Sequence, residues 1–395
     1  MKRGFVAERM SNIGTEAAFE VLAKAKELEA RGLRMVHLEI GDPDFTTPGY
    51  IRAACHASLH QGHTHYTPST GIMELRQAIA ERVKADYNVD VDPRTQVVAM
   101  PGAKPCIYTA ILATVNPGEE VIVPDPGFPI YESVVRFIGA KPVPVQLKEE
   151  NDFRLLPEDV AEKVTERTKM IVLNSPNNPC GSMLSKKDVE GIAALARERG
   201  LLILSDEIYC KIAYEQPHHG ILAEPEMLDY AVMIDGFSKT YAMTGWRLGY
   251  AVGNADVIEK MVLLQINITS CPASFVQEAG VAALRGSQEP SRRMVEEYRK
   301  RRDVIVEGLN RINGVSCKPP LGTFYAFPNV KSFGWKSRAL MEYLMEKGGV
   351  VTLHGDAFGK YGEGYLRLSY ATSVELIREG LERMEKALAS LPSSP

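Results

Sequence analysis

The chain has 395 residues, 45% of them hydrophobic and 24% charged, which is the composition of an ordinary globular protein long enough for two domains. A formal net charge of −4 and the absence of a long basic run argue against an electrostatically driven nucleic-acid binder. No apolar run approaches the roughly 20 residues of a membrane span, residues 1–10 lack the apolar core of a signal peptide, and the scattered cysteines show no Cys-x-x-Cys spacing, so neither a membrane protein, a zinc site nor a disulfide framework is expected and a reducing cytoplasm fits best.

Short apolar runs read as strands at Val97–Met100, Glu120–Pro124, Pro142–Val145, Met170–Asn174, Leu201–Ser205, Ala231–Ile234 and Leu248–Val252. Most are separated by helical patterns, which predicts an α/β fold with a large, doubly wound, mostly parallel seven-stranded sheet and functional loops gathered at the strand ends. The crossover Ser185–Arg199 opens on a capping-box signature, Ser185-x-x-Asp188, and stops before Gly200. From Pro290 the pattern changes to a charged amphipathic stretch, Ser291–Ile312, in which Arg299-Lys300-Arg301-Arg302 reads as a solvated helix face. A smaller α/β unit follows: Thr323–Phe327 as a strand, Ser337–Lys347 as a helix, Tyr365–Ser369 as a strand, and a last helix from the capping box Thr372-x-x-Glu375. The tail Leu391–Pro395 is expected to fray. His63 with His65, and His218 with His219, bring no third ligand in sequence and read as loop histidines rather than metal ligands.

The segment Asp235–Gly249 carries the most chemistry. Lys239 follows the run Ala231–Ile234, on the loop past a strand end, with Ser238 beside it and Arg247 further along the same segment. A lysine amine can condense with an aldehyde, while an arginine fork and a hydroxyl suit a phosphate, so this layout fits a phosphorylated aldehyde. Asp206 lies just past the run Leu201–Ser205 and points a carboxylate toward the same strand-end crevice. Gly102-Ala103-Lys104 follows the run Val97–Met100 and opens a helix, where amides and the helix dipole converge on an anion.

The run Ser-Lys-Thr-Tyr-Ala-Met-Thr-Gly-Trp-Arg-Leu-Gly-Tyr from Ser238 resembles the pyridoxal-phosphate attachment motif of the class I/II aminotransferases, the aspartate aminotransferase superfamily of fold type I. Four further motifs agree in order: Gly41-Asp42-Pro43-Asp44-Phe45, Asn174-Ser175-Pro176-Asn177-Asn178-Pro179-Cys180-Gly181, Ser205-Asp206-Glu207-Ile208-Tyr209 and Tyr365-Leu366-Arg367-Leu368-Ser369-Tyr370. The resemblance implies pyridoxal 5'-phosphate as cofactor, Lys239 as the attached lysine and proton shuttle, Asp206 on the ring nitrogen, and Tyr209 and Asn178 on the ring 3-oxygen. It also implies Phe128 stacked on the ring, a phosphate cup of Gly102, Ala103, Lys104, Ser238 and Arg247, and Tyr66 donated across a homodimer to the neighbouring subunit's phosphate. Arg367 matches the arginine that takes the substrate α-carboxylate, with Asn178 and the Gly41 backbone alongside. The N-terminal segment would pack with the C-terminal unit, dividing the chain into a large domain, 48–288, and a small domain, 1–47 plus 289–395.

Two positions depart from the family pattern: Cys180 stands where threonine is usual and His354 where proline is usual. For the substrate side chain, Lys104 matches a position that reaches the distal carboxylate in some bacterial aspartate aminotransferases, whereas Glu16 argues the other way if it points inward. The implied reaction moves an amino group from an α-amino acid to an α-keto acid, with glutamate and 2-oxoglutarate as one pair and an aspartate aminotransferase-like specificity as one option. A pyridoxal-phosphate lyase on the same fold is the nearest alternative, since cofactor ligands do not fix which bond breaks. A cofactor-sensing regulator would need an N-terminal DNA-binding domain, and a nucleotide-binding protein would need a glycine-rich fingerprint that is absent here.

Overall fold

In the computed structural model, which describes residues 5–14 and 16–392, the seven apolar runs between residues 97 and 253 join one sheet. A two-residue strand β1 (Val36–His37) lies apart from it; the sheet comprises β2 (Val97–Met100), β3 (Glu120–Asp125), β4 (Lys141–Gln146), β5 (Thr168–Asn174), β6 (Leu202–Asp206), β7 (Ala231–Gly236) and β8 (Gly249–Gly253). Their order is β2-β8-β7-β6-β5-β3-β4, with β8 antiparallel to both neighbours and the remaining pairs parallel.

The strands read as continuous apolar runs because helices cover both faces. Alternate residues feed opposite cores: Ala99, Ile122, Ile171 and Ile203 pack on one side, while Val98, Val121, Val172 and Leu204 pack on the other. The crossover helix Lys186–Arg199 carries the expected capping box between Ser185 and Asp188, and Gly200 ends it at φ 63°.

The smaller unit holds β9 (Tyr325–Ala326), β10 (Val350–Val351), β11 (Leu353–His354) and β12 (Leu366–Ser369), with β11-β12-β9 forming an antiparallel sheet. β1 pairs in parallel with β10, matching Val36 to Val350, so the N-terminal segment is stitched to C-terminal residues. Expected boundaries shift where local geometry overrides pattern. Thr323, at φ 64°, cannot continue an extended strand, which shortens 323–327 to Tyr325–Ala326. The helix from Ser337 is α-helical only to Tyr343 and finishes in a π-helical turn, Leu344–Gly348. The last helix opens at Val374, so Ser373 and not Thr372 is its cap, accepting from the Leu376 amide at 3.2 Å.

The solvated-face reading of 299–302 also fails for two of its arginines. Arg301 and Arg302 are buried in the long helix Glu289–Arg311. Arg301 donates to Asp44 at 2.7 Å and lies 5.0 Å from the Phe45 ring centroid; Arg302 pairs with Glu215 at 2.7 Å. These partners are remote in sequence, so the helical pattern gives no hint of them. Among the described residues no helix is long and apolar enough to cross a membrane. The expectations for the first ten residues and the Ser-Pro tail fall partly on 1–4 and 393–395, outside the described residues.

Candidate active site

The parallel register aligns Asn174 with Asp206, and Asp206 with Ile234, so the carboxyl ends of β5, β6 and β7 open together. Lys239 follows three residues after β7. Over these ends lies a cavity of about 430 Å³, where open α/β sheets place their ligands.

Asp206 forms its floor and is 3% exposed. Its Oδ2 accepts the Tyr131 hydroxyl at 2.7 Å and Oδ1 accepts the Ile208 amide at 3.2 Å. Neither contact supplies positive charge, and burial pushes its pKa up to about 6. Lys239 Nζ donates to the Gly41 carbonyl at 2.6 Å. Desolvation lowers the amine pKa to about 8, with Arg367, Lys104 and Arg247 adding to the effect and Asp42 opposing it.

Arg367 comes from β12, across the cleft from the large sheet, and is 4% exposed. Nη1 donates to Asn178 Oδ1 at 3.1 Å, Nη2 donates to the Glu39 carbonyl, and Nε has no hydrogen-bond partner among the described residues. The guanidinium lies over the rings of Tyr325 and Phe358, with centroids at 4.4 and 4.9 Å. A buried guanidinium without a hydrogen-bonded carboxylate is suited to an incoming one.

At another wall, Gly102 at φ 107° turns β2 into the helix Ala103–Thr114. A Cβ there would stand 2.5 Å from Arg247 Nη2, so glycine lets the arginine approach the helix amino end. Arg247 and Ser238 lie with the amino end of this helix, whose first amides have no acceptor within the helix, in a layout suited to an anion. The donor set thus fits pyridoxal 5'-phosphate: an amine for its aldehyde, an uncompensated carboxylate for its ring nitrogen, and a cationic cup for its phosphate.

All the residues expected at the site except Gly102 and Tyr66 line this cavity. A Cβ on Gly102 would meet Arg247, whereas Tyr66 is 88% exposed and is not part of this cavity's lining. Lys104 is paired with Glu16, which does point inward, and its ammonium lies 5.4 Å from the Phe128 ring centroid. Cys180 and His354 are buried outside the cavity lining, with His354 Nδ1 2.7 Å from Asp356. Three participants escaped the sequence reading: Tyr131 on Asp206, Tyr325 with its hydroxyl 2.9 Å from that of Tyr209, and Asn174, whose Oδ1 accepts the Asn178 amide at 2.9 Å. Asn174 alone carried a signal, as the first residue of the Asn-Ser-Pro motif.

A model of the family described as aminotransferase class I and II matches residues 34–384. The aspartate aminotransferase of Pyrococcus horikoshii is 41% identical over 391 residues, covering 98% of each chain. Aromatic-amino-acid aminotransferase 2 of Thermococcus litoralis is 41% identical over 363 residues, covering 91% of this chain and 93% of that protein. Among solved structures, the aspartate aminotransferase of Thermus thermophilus with maleate superposes with a TM-score of 0.91 at 37% identity, covering 98% of this chain and all of that one. The chain belongs to the class I and II aminotransferase family. These relatives are named as amino-group transferases, which does not favour the lyase alternative.

Proposed function

We propose that the chain is a pyridoxal 5'-phosphate-dependent aminotransferase that moves the amino group of an α-amino acid to an α-keto acid, with glutamate and 2-oxoglutarate as one pair and aspartate as a second donor. The observation that carries this is Lys239: an amine whose pKa is lowered to about 8, sharing its cleft with a carboxylate and a guanidinium that, among the described residues, have no hydrogen-bonded partner of opposite charge.

When bound, the cofactor supplies an electron sink that makes the substrate α-carbon acidic. Arg367 holds the α-carboxylate by a two-pronged contact and, with Asn178 and the Gly41 backbone, turns the α-hydrogen toward Lys239. Lys239 Nζ would take that proton and hold it, which suits an amine poised near neutral pH. Asp206, held by Tyr131, would favour a proton on the ring nitrogen. Tyr209 and Asn178 would take the ring 3-oxygen, and Phe128 would meet the ring. The backbone amides of Gly102, Ala103 and Lys104 at the helix start, with Ser238 and Arg247, would hold the phosphate.

The exposure of Tyr66 supports a homodimer in which this tyrosine reaches the phosphate of a neighbouring copy. The β1–β10 pairing supports the division into 48–288 and 1–47 plus 289–395. A cytoplasmic setting fits the unpaired cysteines.

A second reading of the side-chain specificity rests on the Glu16–Lys104 pair. With Lys104 already paired with Glu16 and lying over Phe128, and with Phe19 in the same lining, the cleft suits neutral or aromatic side chains. Relatives bear names of both kinds.

The test is covalent. Borohydride treatment of the purified, cofactor-loaded protein should bleach its visible absorbance and fix the cofactor mass on the peptide containing Lys239. Retention of a reducible adduct by Lys239→Ala would overturn the assignment. A screen of amino acids for half-reaction absorbance changes tests reaction and substrate class together.

A further inference from the structure

Behind Arg367 lies a buried acidic group that the proposed chemistry does not use. Glu39 is fully buried; Oε2 has no hydrogen-bond partner among the described residues, while Oε1 lies 2.8 Å from His37 Nδ1. On its other side the His37 ring reaches Glu29 of the helix Ala17–Ala30, at 3.1 Å from Nε2. A half-satisfied carboxylate in the interior is costly, and an apolar side chain would pack there without that cost.

The backbone shows what the arrangement holds in place. β1 is stitched on both sides: Val36 donates to the Gly349 carbonyl at 2.8 Å, Leu38 donates to Val351 at 2.9 Å, and Ser369 donates to the Leu38 carbonyl at 2.7 Å. Past Leu38 the chain leaves these ladders and turns. The Glu39 carbonyl then accepts from Arg367 Nη2, and the Gly41 carbonyl accepts from Lys239 Nζ at 2.6 Å. So the turn 39–41 offers carbonyls to two cations of the cavity, and among the described residues the only side-chain hydrogen bond at its start is that of Glu39 with His37.

We propose that His37 and Glu39 are positioning residues for the carboxylate site: together they fix the turn whose carbonyl holds Arg367, and so set the affinity for the substrate carboxylate without touching substrate. The imidazole between two carboxylates has its pKa raised to about 9, chiefly by the Glu39 hydrogen bond, so it stays a charged donor at neutral pH. This inference rests on Arg367 being the carboxylate ligand.

The test is a comparison of His37→Ala, Glu39→Ala, Glu39→Gln, the double alanine variant and Arg367→Lys, using L-glutamate as donor in the half-reaction of the cofactor-loaded enzyme. Both alanine variants should raise the apparent KM for glutamate about tenfold while the saturated rate falls less than about threefold. Glu39→Gln should stay within about twofold of the parent, because its amide oxygen still accepts from the imidazole, and the double variant should be no worse than either single one. If Glu39→Ala fails to fold, His37→Ala, at the half-exposed end, still decides the matter. An unchanged KM in His37→Ala, or a loss confined to the saturated rate, overturns the inference, as does a Glu39→Gln variant as impaired as Glu39→Ala. Should Arg367→Lys itself leave KM unchanged, the carboxylate reading of Arg367 fails; should only Arg367→Lys raise it, the positioning role alone fails.

Discussion

The hydroxyl of Tyr131 lies 2.7 Å from Oδ2 of Asp206, and both residues are buried. Burial drives the phenol pKa well above its ordinary value, so Tyr131 is the donor and Asp206 the acceptor. That bond and the Ile208 amide favour the carboxylate, yet desolvation still wins and holds the Asp206 pKa at about 6. The charge is fixed in place but incompletely compensated, the state expected of a group shaped to meet a cation.

Asp206→Asn should therefore stabilise the cofactor-free protein while disabling it. With a folded pKa near 6 against an unfolded value near 3.9, the ionised carboxylate costs stability fully above pH 6 and nothing below about pH 4. The variant should thus be more stable than the parent at pH 7.5, by up to about 3 kcal/mol, and match it near pH 4, a difference followed through the melting temperatures. Its half-reaction should slow by about 4 kcal/mol or more, read by stopped-flow absorbance. A loss under about tenfold would make Asp206 merely structural.

Asp206 and Lys239 were legible in the sequence because each follows an apolar run, and strand ends of an open parallel sheet are where side chains meet a ligand. Tyr131 and Tyr325 were not, for a physical reason: their directions depend on where a helix starts and on how β9 docks against the loop after β6. Arg301 was misread because Asp44 is distant in sequence and a helical charge pattern looks the same whether its partner is water or a remote carboxylate. The pairing of Lys104 with Glu16 was hidden likewise, since only the fold over the cavity decides which way Glu16 points.

His37 supplies a stability signature apart from its effect on substrate affinity. Its folded pKa, raised to about 9, exceeds the ordinary 6.5, so the stabilisation it draws from Glu39 and Glu29 is fully present below pH 6.5 and lost as pH rises through 9. The gap in melting temperature between the parent and His37→Ala should be widest near pH 6 and close by pH 10. A gap that does not change with pH would mean that His37 contributes packing only.

Tyr66 is 88% exposed and lines no part of its own chain's cavity, so loss of its hydroxyl should matter only if another copy uses it. Tyr66→Phe should weaken cofactor affinity roughly tenfold, measured by equilibrium dialysis, with the sedimentation coefficient unchanged from the parent. Unaltered affinity would remove Tyr66 from the phosphate cup.

The choice between acidic and neutral side chains turns on Lys104 and Glu16. Their ion pair is partly exposed, so its separation costs only about 1 kcal/mol, and a substrate's distal carboxylate can take the place of Glu16 on the ammonium. If it does, Lys104→Met should reduce turnover of aspartate and glutamate by roughly 10- to 1000-fold while leaving alanine and phenylalanine nearly unchanged. Glu16→Gln should act in the opposite direction, lowering KM for the acidic donors about threefold or more by leaving Lys104 uncompensated. Equal losses for every donor in Lys104→Met would place that lysine at the phosphate cup or in folding. Indifference of the acidic donors to Glu16→Gln would mean that the pair lies off the substrate's path. Arg367→Lys is the control, because the α-carboxylate is common to all donors and a lysine cannot reproduce the planar fork; it should impair every donor alike. An undiminished rate with alanine in that variant would remove the carboxylate site itself, and the specificity argument built on it.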